Sequence, residues 1–444
     1  MRRIVTLLAG WLAFLPSGCA DIEPFRSAFD PSTDSGSADF SVLVSVGESL
    51  SAGFQDLGLI ESRQRESIPA LIARSLGKEV LSREVAAPAP EAFVIPGYSD
   101  PGSPGTLVLV SLSPPAVEEV NPPGQPVNLG YPASYHALAV PAVKISQALR
   151  TATDPGNPYL DLVLRGRGTM VEQAASLDPT FVIAWLGSWD IQCAAVSGSV
   201  ACLTPAEEFE ADYALLLDTF LALDSVTGMV TANIPDVLSV PFTTTVPPFL
   251  SIPLGRIFLL GPEGLLTEED ALTLLALPLI QEGYGLPEPF GNGEPLPASV
   301  ILDAAEIAAI RERTEELNDA IERLAGARGV PVADMAGLLE RAREGIPVGG
   351  LELDLEFLQG GLIGIDGVHP WSAGQAIAAN EFIEAVNRTY GASIPLVDLG
   401  GILDVNFDPS RDAPAGGADL LSLAPVAEAI RGSSWGRRTL GFPE

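Results

Sequence analysis

Short apolar runs alternate with amphipathic segments along most of the chain. The apolar runs are rich in Val, Ile and aromatic residues and end at glycine or a polar turn, which is typical of buried strands. We predict strands at Phe40 to Val46, Phe181 to Leu186, Gly228 to Ile234 and Gly329 to Ala333. Apolar spacings of three and four predict helices at Ser67 to Leu76, within Ala137 to Ala152, at Glu207 to Leu223, near 266–282, at Ala304 to Ala327 and at Ser372 to Tyr390. Strands that alternate with helices predict an α/β fold with a parallel sheet covered on both faces.

Two regions rich in Pro and Gly interrupt this pattern. Residues 84–130 contain a β-like run from Thr106 to Ser113 and predict an irregular insertion that carries a hairpin. Residues 235–300 predict a second insertion. Because sites form at the carboxyl ends of parallel strands, we expect one where Ser49 and Gly187 follow their strands.

Composition narrows the range of functions. The chain has 444 residues, of which 47% are hydrophobic, so it can bury a substantial core. It carries 24 Lys and Arg against 57 Asp and Glu, which gives a formal net charge of −33. This balance disfavours nucleic acid as a partner, and an anionic membrane surface would repel the body of the protein. The sequence contains no phosphate-binding glycine loop and no metal-ligand spacing, so we predict no cofactor and no metal.

The N-terminus has the features of an export signal. Arg2 and Arg3 precede a short apolar run that ends in small residues before Cys19. This arrangement resembles the lipobox of bacterial lipoproteins, which implies a signal peptide over 1–18 and a lipid on Cys19. Residues 19–39 then form a polar tether. We expect an exported outer-membrane lipoprotein on the periplasmic or cell-surface side, in contact with the membrane through its lipid anchor only. The alternative is an ordinary cleaved signal with a chance cysteine.

The other two cysteines are Cys193 and Cys202, separated by eight residues. Because exported proteins meet an oxidising environment, we predict a disulfide between them. The alternative is a pair of free buried thiols.

Histidine chemistry can be located easily because the chain has only His136 and His369. A serine hydroxyl needs a base to become a nucleophile, and Ser49 follows the first predicted strand in a Gly-Glu-Ser-Leu turn. Asp366 precedes His369 by three positions, so one turn can present a carboxylate to the imidazole. Taken alone, each motif also fits an ordinary turn or a capping Asp beside a surface His. His136 either lines the cleft or is a satisfied surface or loop histidine.

Together these motifs resemble the blocks of the SGNH hydrolases, also called GDSL esterases and lipases. The matching segments are VSVGESLSAGF, LAVPAVKI, AWLGSWD and IDGVHPWSAGQ, for the first, second, third and fifth blocks. The resemblance spans residues 40–398 with the two insertions, and 399–444 form a C-terminal extension. It implies a flavodoxin-like three-layer α/β/α sandwich and ester hydrolysis through an acyl-enzyme. Ser49 would be the nucleophile, His369 the base and Asp366 its orienting carboxylate.

The same resemblance implies an oxyanion hole, and here the sequence departs from the family. The backbone amides of Ser49 and Ala142 would donate to the oxyanion, although Ala142 stands at the usual Gly. Trp189 replaces the Asn whose side-chain amide is an oxyanion donor, and its indole N–H would give partial help in the oxyanion hole from a longer, differently aimed arm. Glu48 replaces the usual Asp beside the nucleophile. Trp371 replaces a smaller polar residue.

Three functions follow from these observations. The first is a serine ester hydrolase that acts on a small ester or lipid. The second is a non-catalytic ligand-binding lipoprotein on the same fold, because the oxyanion Asn is replaced by Trp189. The third is a surface interaction protein that uses its acidic face and the two insertions.

Overall fold

The computed structural model describes residues 34–402, except 84, 85, 113 and 254, together with 420–434 and 437. The predicted signal peptide, Cys19 and most of the predicted tether lie outside the described residues. Within the described residues, no helix combines the length and the apolar character needed to cross a bilayer.

Seventeen strands lie in the described part of the chain. In chain order they are β1 (Leu43–Gly47), β2 (Val80–Leu81), β3 (Phe93–Val94), β4 (Leu107–Leu112), β5 (Pro115–Glu119), β6 (Ala137–Ala139), β7 (Phe181–Trp185), β8 (Gly228–Ala232), β9 (Phe249–Ile252), β10 (Gly255–Phe258), β11 (Leu260–Gly261), β12 (Gly264–Leu265), β13 (Ala271–Leu272), β14 (Ile301–Leu302), β15 (Val332–Ala333), β16 (Ile346–Val348) and β17 (Leu351–Leu353).

The α-helices of the described residues connect and flank these strands. They are α1 (Ser49–Ala52), α2 (Glu61–Gln64), α3 (Ile68–Ser75), α4 (Ile145–Arg150), α5 (Pro158–Leu164), α6 (Met170–Ala175), α7 (Trp189–Ser197), α8 (Ala206–Leu221), α9 (Pro241–Thr244), α10 (Ala276–Gln281), α11 (Ala304–Gly326), α12 (Met335–Glu344), α13 (Ser372–Tyr390), α14 (Leu399–Ile402) and α15 (Ala424–Gly432). Short 3-10 turns lie at Val200–Cys202, Ala298–Val300 and Leu420–Leu423.

A five-stranded parallel sheet forms the centre of the fold, in the order β15-β8-β7-β1-β6. The strands β1, β6, β7 and β8 are fully buried and mainly apolar because helices cover both faces. Side chains alternate between two cores. Val44 and Val182 face a core shared with α4, α6, α8 and α11, whereas Leu43 and Phe181 face one shared with α3 and α13. This confirms the predicted three-layer α/β/α architecture.

Both regions rich in Pro and Gly contain antiparallel pairs outside the central sheet. The first holds the β4–β5 hairpin, and the second holds β9–β10 and β11–β12. One helix prediction was wrong in part. The stretch near 266–282 is helical only in α10, because Ala271 and Leu272 pair with β14 across the insertion. The C-terminal helix α15 packs on α10 and β5.

Candidate active site

Ser49 follows the carboxyl end of β1, a strand of the central sheet, and begins α1. A Cβ at Gly47 would come within 2.6 Å of the Ser51 Cβ, so only glycine permits the sharp turn between strand and helix. Gly53 ends the helix in the left-handed region, with φ of 68°. Ser49 is 4% exposed. The turn therefore holds its hydroxyl at the sheet edge where parallel α/β folds form their sites.

Asp366 and His369 are joined by a short hydrogen-bonded loop that precedes α13. The Asp366 Oδ2 lies 2.9 Å from the His369 Nδ1. The other carboxylate oxygen of Asp366 accepts the backbone N–H groups of Val368 and His369, both at 2.9 Å. The carboxylate thus fixes the loop backbone and the imidazole at the same time.

The charge of Asp366 determines which imidazole nitrogen carries the proton. Burial alone would raise the pKa of Asp366, but the neighbouring His369 and the hydrogen bonds from His369 and Val368 outweigh burial and lower that pKa. An ionised carboxylate can only accept hydrogen bonds, so the Nδ1 of a neutral His369 is the protonated nitrogen. Its Nε2 then keeps a free lone pair.

The Nε2 of His369 is buried and has no hydrogen-bond partner among the described residues. The imidazole packs edge-on against Phe54, with ring centroids 4.9 Å apart. Phe54 in turn donates its backbone N–H to the carbonyl of Ser49 at 3.4 Å. The turn that begins at Ser49 therefore packs directly against the His369 ring.

A second contact ties the same two segments together. The backbone N–H of Leu57 donates to the Asp366 Oδ2 at 3.1 Å, across 309 positions of sequence. The structure thus brings the Ser49 turn and the Asp366–His369 loop together. The Ser49 hydroxyl and the His369 Nε2 are not hydrogen-bonded to each other.

The two predicted backbone donors are free. Neither the N–H of Ser49 nor that of Ala142 donates a hydrogen bond to any residue that the structure describes. Ala142 lies in the turn between β6 and α4 and adopts φ of 54°, the left-handed region that favours glycine. The backbone at Ala142 thus adopts a conformation that favours glycine, although an alanine stands there.

Trp189 is the first residue of α7 and is half-buried. Its backbone N–H donates to one carboxylate oxygen of Glu48, and the N–H of Ser188 donates to the other, both at 2.6 Å. The indole N–H makes no hydrogen bond within the described residues. Gly187 permits this entry into the helix, since it adopts φ of 122°.

Glu48 therefore acts as a link between β1 and the start of α7. Burial, with a smaller contribution from the charge of Asp190, raises the pKa of Glu48 to about 8. Burial also raises the pKa of Asp190 to about 6. Asp190 accepts the N–H of Ile145 at 3.0 Å and the hydroxyl of Thr204 at 2.6 Å. It therefore fixes the start of α4, close to Ala142 in sequence.

Asp56 supports the histidine loop, and no motif in the sequence indicated this role. It accepts the N–H of Ile365 at 2.7 Å, the indole N–H of Trp371 at 2.9 Å and a guanidinium N–H of Arg63 at 2.7 Å. Burial raises the pKa of Asp56 against the opposing charge of Arg63. Asp56 thus holds both ends of the segment that carries Asp366 and His369. The one signal in the sequence was the unusual Trp371.

The second insertion also reaches this loop. Phe242 in α9 donates its N–H to the carbonyl of Gly367 at 2.8 Å and accepts from the N–H of Leu274 at 2.8 Å. Both Phe242 and Gly367 are buried. The insertion is therefore part of the scaffold of the histidine loop.

His136 and the cysteine pair lie apart from this chemistry. His136 is a core residue, so neither a surface nor a cleft position applies. Its Nδ1 accepts the N–H of Val94 at 3.1 Å, and burial lowers the pKa of His136 to about 4. Cys193, in α7, and Cys202, in the 3-10 turn that follows, are joined by a disulfide.

Cavities adjoin the two segments. One, of about 690 Å³, has a mixed lining that includes Asp56, Arg63 and Trp371. Two smaller ones, of about 100 Å³ and 40 Å³, are mainly apolar. Leu50 and Val368 line both of these, and they are the chain neighbours of Ser49 and His369. Cavity space therefore lies beside the chain neighbours of the two residues expected to react, although neither Ser49 nor His369 is itself part of these three linings.

Comparisons with known proteins give limited information. No family model matches the chain, and no curated protein matches it. It aligns with the structure of an α/β hydrolase from the metagenome of Lake Arreo, Spain, at 15% identity and a TM-score of 0.36, covering 79% of this chain and 96% of that one.

Two further alignments involve lipolytic enzymes. One is with a protein assigned as a GDSL-like lipase from Parabacteroides merdae, at 11% identity and a TM-score of 0.36, over 79% of this chain and 97% of the other. The second is with phospholipase A1 from Streptomyces albidoflavus, at 14% identity and a TM-score of 0.32, over 78% and 98%. These scores are too low to transfer a fold or an activity, so the site geometry is the basis for any functional assignment.

Proposed function

We propose that this protein is a serine ester hydrolase with Ser49 as nucleophile, His369 as base and Asp366 as its orienting carboxylate. One observation carries the proposal. The His369 imidazole is held through Nδ1 by a buried, ionised Asp366, keeps a free Nε2, and packs against the turn that begins at Ser49. The carboxylate distinguishes His369 from His136, whose Nε2 also lacks a partner but whose Nδ1 accepts a backbone N–H and bonds to no carboxylate among the described residues.

These residues would perform the reaction in two halves. The Ser49 Oγ attacks the ester carbonyl while its proton passes to the His369 Nε2, and Asp366 stabilises the resulting imidazolium. His369 then gives this proton to the departing alcohol, which leaves an acyl ester on Ser49. Water attacks that ester, again losing a proton to His369, and the carboxylic acid leaves as Ser49 regains its proton.

The oxyanion formed in each half needs hydrogen-bond donors. The free N–H groups of Ser49 and Ala142 are suited to this role. The left-handed turn at Ala142 supports it, because the backbone there adopts a conformation that favours glycine, the residue usual at this position in the family.

The test combines an activity-based probe with two variants. A fluorophosphonate reagent should label the wild type and fail to label Ser49→Ala. Hydrolysis of short p-nitrophenyl esters should fall by about 10⁴-fold or more in Ser49→Ala and in His369→Ala. Equal labelling of wild type and Ser49→Ala, or unchanged hydrolysis by His369→Ala, would count against the proposal.

A specific observation favours a second candidate, a non-catalytic lipoprotein that retains a ligand. The side chain at Trp189 cannot act as the expected amide donor, and Ser49 and His369 are only 4% and 7% exposed. This candidate predicts that a ligand is retained without hydrolysis. Release of p-nitrophenol that depends on Ser49 would eliminate it.

The lipid anchor belongs to the proposal as well. We expect export, cleavage before Cys19 and lipid attachment at that residue. Mass spectrometry of the N-terminal peptide from membrane-extracted protein should show the added acyl mass. In Cys19→Ala that mass should be absent, and the protein should move to the soluble fraction.

A further inference from the structure

We propose that the side-chain amide of Gln192 supplies the third oxyanion donor, in place of the Asn that Trp189 has displaced. The inference rests on the proposed function, since it assigns a catalytic role at the same site. Four features of α7 and its surroundings support it.

Gln192 is buried without a hydrogen-bond partner for its side chain. The residue is 5% exposed, and its amide makes no hydrogen bond to any residue in the described part of the chain. The amide atoms of Gln192 are not among the fully enclosed polar atoms that lack a partner, so they retain accessible surface and are available to a ligand. Other buried Gln side chains here are used structurally. Gln375, for example, accepts the N–H of Ile68 at 3.1 Å.

The position of Gln192 on α7 directs its side chain toward the third-block turn. It lies three residues after Trp189 and four after Ser188, hence on the same helix face as both. In an α-helix the Cα–Cβ bond tilts toward the N-terminus, so the Gln192 side chain extends back over the first turn. Its extra methylene relative to Asn adds reach in the same direction.

A small cavity lies between Gln192 and the chain neighbours of Ser49 and His369. Its volume is about 40 Å³, and it is lined by Gln192 and Ser188 together with Leu50 and Val368. Leu50 directly follows Ser49, and Val368 directly precedes His369. This space is enough for one oxygen-sized group. The amide of Gln192 is the one carboxamide in its lining.

Neighbouring polar groups are engaged elsewhere. The N–H groups of Ser188 and Trp189 both bind Glu48, and the amide nitrogen of Asn233 donates to Asp334 at 3.0 Å. The Ser188 hydroxyl lies beside the Glu48 carboxylate and lines the same cavity. It is therefore the one rival donor that the experiment has to separate from Gln192.

The first measurement compares steady-state hydrolysis of p-nitrophenyl acetate by wild type, Gln192→Met and Gln192→Glu. Met is close to Gln in size and has no donor, and a Glu carboxylate only accepts. Both should lower kcat by about 10²- to 10³-fold with little change in KM, which is the loss observed when one oxyanion donor is removed. Gln281→Met, an exposed position on α10, is the matched control and should stay within about twofold of wild type.

The second measurement is a rescue that a merely structural role would not allow. Trp189→Asn restores an amide at the family's position, so it should recover most of the kcat lost in Gln192→Met. In the wild-type background the same change should have little effect, because Gln192 already fills the role. The two substitutions should therefore be strongly non-additive.

The outcomes separate the two levels of the proposal. Near-normal kcat in Gln192→Met, with Ser49→Ala inactive, would overturn the role of Gln192 and leave the hydrolase standing. A large loss in Ser188→Ala but not in Gln192→Met would assign the donor to Ser188 and also overturn it. Hydrolysis that does not depend on Ser49 would overturn both levels. Thermal melts of each variant identify any loss of activity caused by unfolding.

Discussion

The indole N–H of Trp371 meets the carboxylate of Asp56 at 2.9 Å, although 315 positions separate the two residues. The other neighbours of that carboxylate are the N–H of Ile365 and the guanidinium of Arg63. Asp56 is fully buried, whereas Arg63 retains partial contact with solvent. The pair thus clamps the histidine loop from both of its ends.

Removal of this clamp should weaken both folding and activity. Asp56→Ala removes the carboxylate that accepts from the N–H of Ile365 and the indole of Trp371, so we expect a loss of roughly 3 kcal/mol in the free energy of unfolding. Trp371→Phe removes one donor and should cost about 1 kcal/mol. Urea unfolding monitored by far-UV circular dichroism, a signal that comes from the backbone rather than from tryptophan, measures both losses of stability. Equal stability of Asp56→Ala and wild type would show that the clamp contributes nothing.

Glu48 should make stability fall as the pH rises. Its pKa is raised by burial from 4.5 to about 8 in the folded protein. Between these two values the folded state binds more protons than the unfolded state, so the free energy of unfolding decreases with increasing pH. The destabilisation is complete above about pH 8. Glu48→Gln should flatten this slope between pH 5 and 8, whereas exposed Glu208→Gln should leave it unchanged. An identical slope in Glu48→Gln would contradict the prediction.

The protein should be more stable with glycine at position 142 than with the native Ala142. Its φ of 54° places a Cβ in the left-handed region, at a cost of about 1 kcal/mol. Part of the gain is offset because glycine has more freedom in the unfolded chain, so we expect Ala142→Gly to stabilise the protein by about 0.5 kcal/mol. Ala148→Gly, inside α4, should instead destabilise it by about 1 kcal/mol. Guanidinium denaturation measures the free energy of unfolding of both variants and distinguishes the expected gain from the expected loss.

The disulfide should stabilise the protein because it closes a loop and thereby restricts the unfolded chain. Cys193 and Cys202 are nine positions apart, and closing a loop of this length stabilises by about 2–3 kcal/mol in the chain-entropy description. Addition of dithiothreitol should lower the melting temperature of the wild type. A Cys193→Ala, Cys202→Ala variant should melt at the reduced temperature with or without the reagent. Insensitivity of the wild type to reduction would argue that the bond adds no stability.

Much of the fold could be predicted from local sequence pattern. The central strands read as continuous apolar runs because both sheet faces are covered, and α11 and α13 read clearly from their spacing. The stretch near 266–282 could not be predicted correctly. Its Leu-rich pattern favours a helix, but pairing of Ala271 and Leu272 with β14 is a distant contact that local spacing does not contain.

The residues of the candidate site also differ in how far local sequence could predict them. Asp366 and His369 lie three positions apart, so their pairing could be proposed from spacing alone. The role of Asp56 depends on partners more than 300 positions away and on backbone amides, which leave no pattern in the sequence. Gln192 was also overlooked, because a single Gln inside a helix has no signature until its missing partners are known.

The bond between Phe242 and Gly367 constrains how the second insertion can vary in length. An insertion between the elements of a fold can normally be lengthened, shortened or exchanged without effect on the rest of the structure. Here such trimming would strip a carbonyl of its only backbone donor within the described residues and loosen the turn that aims the imidazole. A change in the length of this insertion would thus also change how firmly the His369 loop is held, and a replacement loop would have to bring its own N–H to that oxygen.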